Sequence, residues 1–309
     1  MKPFYILIIA ILLSLSRFSM AQNQHNVSQY MLYHAFINPA AISNDNNFNA
    51  AVFHRSQWIG ISGAPTTQGL SLNLPFKNAK NTLGLMVIHD KIGVNNSTQI
   101  SASYAYKLKL SQKLHWAFGL NAFMNITQSN YNSLESDNVY DPSFNNNTAS
   151  IVMPNFKFGT YLTGSKFYAG FAIPNILENK IAGTNKGETK FNAQNLHYYL
   201  HGGYLFQLDP KNALGVSTLI KQASGAPMQI DINAQYIYNK KLGLGLSYRT
   251  SKELVLMANY QLIPMLKLGY AYDYNMSKLS KYTSGSHEIM LVFSMVKEKS
   301  PVSFFSPRF

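Results

Sequence analysis

From Phe48 onward the chain alternates hydrophobic and polar residues with a period of two, the repeat of an extended strand rather than of a helix. In LGLGLSYR, Leu242, Leu244, Leu246 and Tyr248 point one way while Gly243, Gly245, Ser247 and Arg249 point the other. Between Gln99 and Leu108, Ile100, Ala102, Tyr104, Tyr106 and Leu108 oppose Gln99, Ser101, Ser103, Ala105 and Lys107. One face is aliphatic or aromatic; the other is small, polar or charged. The pattern predicts fourteen strands, over residues 48–56, 66–76, 82–90, 97–108, 113–126, 154–162, 165–174, 195–207, 212–221, 228–238, 241–249, 252–261, 264–274 and 286–295.

A soluble sandwich also alternates, but its apolar faces meet in a core. A transmembrane barrel reverses this, with small and polar residues inside and an apolar band toward lipid. Tyr and Phe gather near strand ends, in FHRSQW, YAYKL, YIYNKK and YAYDYN, as they do in interfacial girdles. After residue 21 no stretch is long and apolar enough for a spanning helix, so a membrane location requires a closed barrel that pairs every backbone group. The fold expected is all-β: a 14-stranded transmembrane outer-membrane barrel, its even strand count that of bacterial barrels.

Connection lengths agree. Those after even strands are short (KNAKN, KLSQ, TG, LDPK, NK, LI), whereas those after odd strands include Thr127 to Met153, Asn175 to Gln194 and NMSKLSKYTSG. Short turns are periplasmic and long loops external in such barrels. Thr250-Ser251 is the exception, an odd connection as short as any turn. The motif SGAP occurs twice, at Ser62-Gly63-Ala64-Pro65 and Ser224-Gly225-Ala226-Pro227, both after odd strands, and reads as an outer-rim turn. The longest loop, 127–153, is the loop expected to touch a partner.

Two segments lie before the strands. Lys2, the apolar run Phe4 to Leu13, and Ser19 and Ala21 at the minus three and minus one positions predict a signal peptide over 1–21, cleaved after Ala21. Residues 22–47 lack the alternation; Asn38-Pro39 marks a turn, and Tyr30, Met31, Leu32, Tyr33 and Phe36 form a short amphipathic segment. Such a leader is expected to tuck into the lumen as a plug or to cover the periplasmic mouth. The domain plan is thus signal peptide 1–21, plug or periplasmic segment 22–47, barrel 48–295 and periplasmic tail 296–309.

Charge and composition narrow the partners. Residues 1–21 hold Lys2 and Arg17 and no acid, so the remainder carries 24 Lys and Arg against 13 Asp and Glu, a formal charge of +11. The basic residues are scattered rather than gathered on one element, which argues against nucleic acid and for anionic envelope components. Cysteine is absent, excluding disulfides and cysteine-bound zinc.

Catalytic chemistry finds little support. Ser286-His287-Glu288, with Ser284 nearby, suggests a hydrolase, but Ser286 and His287 face opposite sides of one strand and cannot converge. His54, His197 and His201 lack ligand spacing. No cofactor, metal or enzymatic activity is expected. Polar and charged residues within strands mark the lumen instead: Asp231, Asn233, Gln235, Arg249, Glu253, Lys267, Asp273 and Glu288 are read as a polar network bracing a filled interior.

Several blocks in order, QYMLYHAFINPAAI, RSQWIGISGAPTTQ, GLMVIHDKIG, FYAGFAIPNILENK, SGAPMQIDINAQY, LGLGLSYR, LKLGYAYDY and SGSHEIML, resemble the PorP/SprF family of Bacteroidota outer-membrane proteins of the type IX secretion and gliding-motility system. The resemblance runs from about Gln29 to Met295. It implies an outer-membrane component assisting secretion and surface attachment of adhesin-type cargo through the cargo's C-terminal signal domain, with the translocon and periplasmic ring components as further partners. An outer-membrane channel for small or hydrophobic compounds is the alternative. The tail VKEKSPVSFFSPRF follows the last strand, and its Phe304, Phe305, Pro307, Arg308 and Phe309 are expected to contact a periplasmic partner.

Overall fold

The computed structural model describes residues 26–131, 150–182 and 186–295; the predicted signal peptide and C-terminal tail, and most of the longest loop, lie outside them. In chain order the strands are β1 (Asn49–Ser56), β2 (Thr66–Pro75), β3 (Asn81–Ile92), β4 (Asn95–Lys109), β5 (His115–Ser129), β6 (Ile151–Thr163), β7 (Phe167–Ile173), β8 (Leu177–Ala182), β9 (Lys186–Phe191), β10 (Tyr198–Gln207), β11 (Asn212–Gln222), β12 (Gln229–Tyr238), β13 (Leu242–Arg249), β14 (Glu253–Ile263), β15 (Leu266–Asn275) and β16 (Ser286–Ser294). All but β8 and β9 join one closed antiparallel barrel of fourteen strands. The seam runs in register from Asn49 opposite Ser294 to Ser56 opposite His287. Closure is obligatory in lipid, where an unpaired backbone group costs several kcal/mol.

The sidedness follows the alternation. Leu244, Leu246 and Tyr248 are exposed on the outer wall while Ser247 and Arg249 are buried inside; Ile100 and Tyr104 face out while Gln99, Ser101 and Ser103 face in. Among the described residues no helix is long and apolar enough to cross a membrane.

Two features depart from the sequence reading. First, β3 and β4 run on until only Gly93-Val94 separates them, so a second odd connection is short. Above an apolar band, strand pairing needs only backbone partners and compatible side chains, such as His89 Nδ1 and Thr98 Oγ1, 2.9 Å apart across the pair. Second, β8 and β9 form a hairpin outside the barrel sheet, within the connection between β7 and β10. Its Glu178 stands opposite Lys190 and Asn179 opposite Thr189, so neither face is continuously apolar and no hydrophobic period signals it.

Residues 26–47 pack inside the barrel. They contain two 3-10 turns, His34–Phe36 and Pro39–Ser43, and nearly every side chain from Val27 to Ser43 is buried. Phe36 meets Phe53 edge-on with ring centroids 4.9 Å apart. A Cβ at Gly119, on β5, would collide with the backbone of Ala40, so glycine there lets the wall and the segment touch main chain to main chain.

Candidate functional site

The densest polar chemistry lies at the long-loop mouth, where six neighbouring strands, β12 to β16 and β1, each contribute one charged side chain. Inward parity sets them there: Arg55 continues the buried row of Ala51 and Phe53, and Arg249 that of Ser247. Arg55 Nη2 lies 2.7 Å from Asp273 Oδ2 and its Nη1 3.4 Å from Glu288 Oε2. Arg249 reaches Glu253 at 3.0 Å, Asp273 at 3.2 Å and Asp231 at 3.4 Å. Both guanidinium groups are 1% exposed, too dry for solvent to weaken the pairing.

This cluster grips the lumenal segment. Ser28 Oγ accepts from Arg55 Nη1 at 2.7 Å and from Arg249 Nη2 at 2.9 Å, and donates to Asp273 Oδ2 at 2.7 Å. Glu288 accepts the backbone N–H groups of Ser28 at 2.7 Å and Gln29 at 2.9 Å. Next along, the Tyr30 hydroxyl accepts from Asn233 Nδ2 at 2.7 Å. Lys221 Nζ lies 3.3 Å from Asn26 Oδ1, holding the start of the segment at the same mouth.

The segment then crosses the lumen. Asn38 caps the second 3-10 turn through Ala40 N–H and donates from Nδ2 to Thr160 O at 3.0 Å, with His201 Nε2 at 3.0 Å. His34 packs 4.5 Å from the Tyr168 ring. At the short-turn end, Lys107 Nζ donates to Ser43 O at 2.7 Å and Asn46 Oδ1 at 2.6 Å, just before β1. The segment is therefore held at both mouths and is itself buried along most of its length between them.

A family model for the type IX secretion system membrane protein PorP/SprF matches residues 19–293, most of the chain. The chain belongs to the PorP/SprF family. No curated protein matches its sequence. Among solved structures, the CymD monoaromatic hydrocarbon channel is 12% identical, with a TM-score of 0.52 over 90% of this chain and 95% of that one. A mutant of the TodX monoaromatic hydrocarbon channel is 9% identical, with a TM-score of 0.49 over 87% and 94%. Omp33 of Acinetobacter baumannii is 11% identical, with a TM-score of 0.44 over 81% and 99%. At such identities the likeness bears on fold alone: an outer-membrane barrel, which together with the PorP/SprF family points to the outer membrane.

Of the residues singled out from sequence, Asp231, Arg249, Glu253, Asp273 and Glu288 come together in the cluster. Asn233 lies just below, and Gln235 is buried deeper along β12. Lys267 shares their inward parity but sits half-buried at the opposite end of β15, six residues or about 20 Å from Asp273, and does not join them. Gly63 and Gly225 take φ of 70° and 75°, and Ala64 N–H and Ala226 N–H close the two SGAP turns onto Ile61 O and Ala223 O at the long-loop mouth. Ser286 is buried and its Oγ accepts from Trp58 N–H at 3.1 Å, while His287 faces outward with Nδ1 2.6 Å from the Tyr270 hydroxyl. His54 is exposed, His201 is buried inside and His197 precedes β10, its imidazole pKa lowered by burial. Among the described residues no group of three or more His, Cys, Asp or Glu is arranged to hold a metal. Phe304, Phe305, Pro307, Arg308 and Phe309 lie outside the described residues.

Sequence reasoning missed Arg55, Ser28, Gln29 and Lys221. For Arg55 a signal existed, since outside residues 1–21 the chain has only three arginines, Arg55, Arg249 and Arg308, and the first two sit on inward parity near the ends of odd strands.

Proposed function

We propose that this protein is a noncatalytic component of type IX secretion that assists secretion and surface attachment of an adhesin-type cargo, holding the cargo's C-terminal signal domain at the long-loop mouth. Residues 26–47 act as a plug that closes the lumen, and the mouth with its loops, including the one between β5 and β6, does the binding. The observation that carries this reading is the clamp on Ser28 and Gln29. A barrel that commits four buried charges, Arg55, Arg249, Asp273 and Glu288, to fixing its own chain across the lumen is organised to stay shut and to present a surface. Membership of PorP/SprF supplies the secretion context. Residues 1–21 serve as a cleaved signal peptide, and the tail, with Phe304, Phe305, Pro307, Arg308 and Phe309, meets a periplasmic component of the system, with gliding motility as one process served.

The test is co-purification from detergent-solubilised outer membranes of a secreted adhesin's C-terminal domain with this barrel, paired with conductance of the purified protein in planar bilayers. Specific capture and a closed lumen support the reading. A steadily conducting wild-type barrel that captures no such domain would favour the small-molecule channel.

A further inference from the structure

The short-turn rim carries a charge pattern that neither the clamp nor the cargo reading uses. Lys77 and Lys80 lie between β2 and β3, and Lys109 and Lys113 around the β4–β5 turn. Lys166 follows β6, Lys211 follows β10, and Lys240 and Lys241 join β12 to β13. All eight are exposed, and they occupy five of the six turns at this end. Against them among the described residues stand only Asp45, in the lumenal segment, and Asp209. The Asp209 carboxylate is already engaged by its own turn. It accepts from Asn212 Nδ2 at 2.6 Å and from the backbone N–H groups of Lys211 and Asn212 at 2.8 and 2.9 Å, which hold it below the usual carboxylate range.

Two observations decide what such a ring fits. The lysines run round the rim from the β2–β3 turn to the β12–β13 turn, all of them exposed. Just inside them, on the outward face, is a matching belt of exposed aromatics: Tyr106, Trp116, Phe206, Tyr238 and Tyr260. Aromatic rings at the headgroup level with ammonium groups immediately beyond are how a wall meets an anionic lipid surface. We propose that the short-turn rim is a binding annulus for anionic phospholipid headgroups of the periplasmic leaflet. It binds their phosphates as point charges and sets the depth at which the barrel sits; the idea is independent of any cargo.

The chain has two tryptophans, Trp58 and Trp116, and Trp58 belongs to the opposite mouth, so a W58F protein reports from Trp116 alone. Reconstituted into phosphatidylcholine vesicles, it should be quenched more by brominated phosphatidylglycerol than by the same fraction of brominated phosphatidylcholine. Each lysine near an anionic surface contributes enough to enrich the lipid roughly fivefold at low salt. The excess should disappear near 1 M salt, where screening shortens to about 3 Å. It should also fall in K109Q/K113Q, beside Trp116, and persist in K240Q/K241Q, across the barrel. Equal quenching by the two lipids in the wild-type rim overturns the proposal, as does equal loss in both double variants. A K→Q variant of all eight positions that keeps the lipid preference but loses a bound acidic periplasmic protein would assign the ring to that protein and overturn it too.

Discussion

Arg55→Met isolates what the clamp does. Methionine keeps the unbranched apolar stem of the side chain but donates nothing, so Ser28 Oγ loses its 2.7 Å donor and Asp273 its 2.7 Å partner, while Glu288 loses a cation 3.4 Å away. Four carboxylates then share Arg249 and the more distant Lys221 in a site almost closed to water. Removing one member of a buried pair costs about 3–5 kcal/mol. The cheapest escape is not unfolding of the barrel, whose strands keep every backbone partner, but withdrawal of Ser28 and Gln29 so that water reaches the acids. At about 1.4 kcal/mol per tenfold, the open fraction of the segment's end should rise by roughly 100- to 3,000-fold.

Amide hydrogen exchange reads this directly, because the Ser28 and Gln29 N–H groups are held by the Glu288 carboxylate. Their protection should fall by that factor, with β1 and β16 unchanged. Adding Asp273→Asn removes one uncompensated charge and should restore at least about tenfold of the protection, since coupled neighbours are not additive. Unchanged protection at Ser28 and Gln29, or equal loss along β1 and β16, would refute the reasoning; the second result would mean that Arg55 braces the wall and not the segment.

Three further outcomes test the surrounding argument. Because the chain has no cysteine, Asn26→Cys and Asn46→Cys place unique thiols at opposite mouths, and a membrane-impermeant maleimide added to intact cells should label the first and spare the second. Gly119→Val drives side-chain atoms into the Ala40 backbone and should cost roughly 1–3 kcal/mol or more by overpacking, seen as a lower melting temperature than that of Gly202→Val, whose nearest neighbour is farther away. Deleting residues 298–309 should leave membrane insertion intact, measured by heat-modifiable migration, and reduce surface display of the cargo, measured by antibody binding to whole cells.

How far the sequence discloses this molecule depends on the range of the interaction that decides each part. A strand that faces lipid on one side and a packed lumen on the other writes its environment into every second residue, which is why Leu242 to Arg249 already reads as a wall segment. The β8–β9 hairpin leaves no such trace because polar residues interrupt both its faces, Glu178 opposite Lys190 and Asn179 opposite Thr189, and bonds such as Asn155 Nδ2 to Leu177 O at 2.7 Å link it to the barrel. Ser28 is harder still. It is a small neutral residue in a stretch without period, yet it is buried because groups from Arg55, Arg249, Asp273 and Glu288 converge on it, the farthest separated by 260 positions. Nothing local to Ser28 encodes that. What the sequence does encode is the other half: charged side chains on inward parity, once away from water, must be paired and hydrogen-bonded, as Arg55 and Arg249 are by the carboxylates and by Ser28. The row of such residues on adjacent strands marks that mouth as the place where a polar partner is held, and in this chain the partner is the unpatterned stretch before β1, bonded there through Ser28 and Gln29 and tethered at its far end by Lys107.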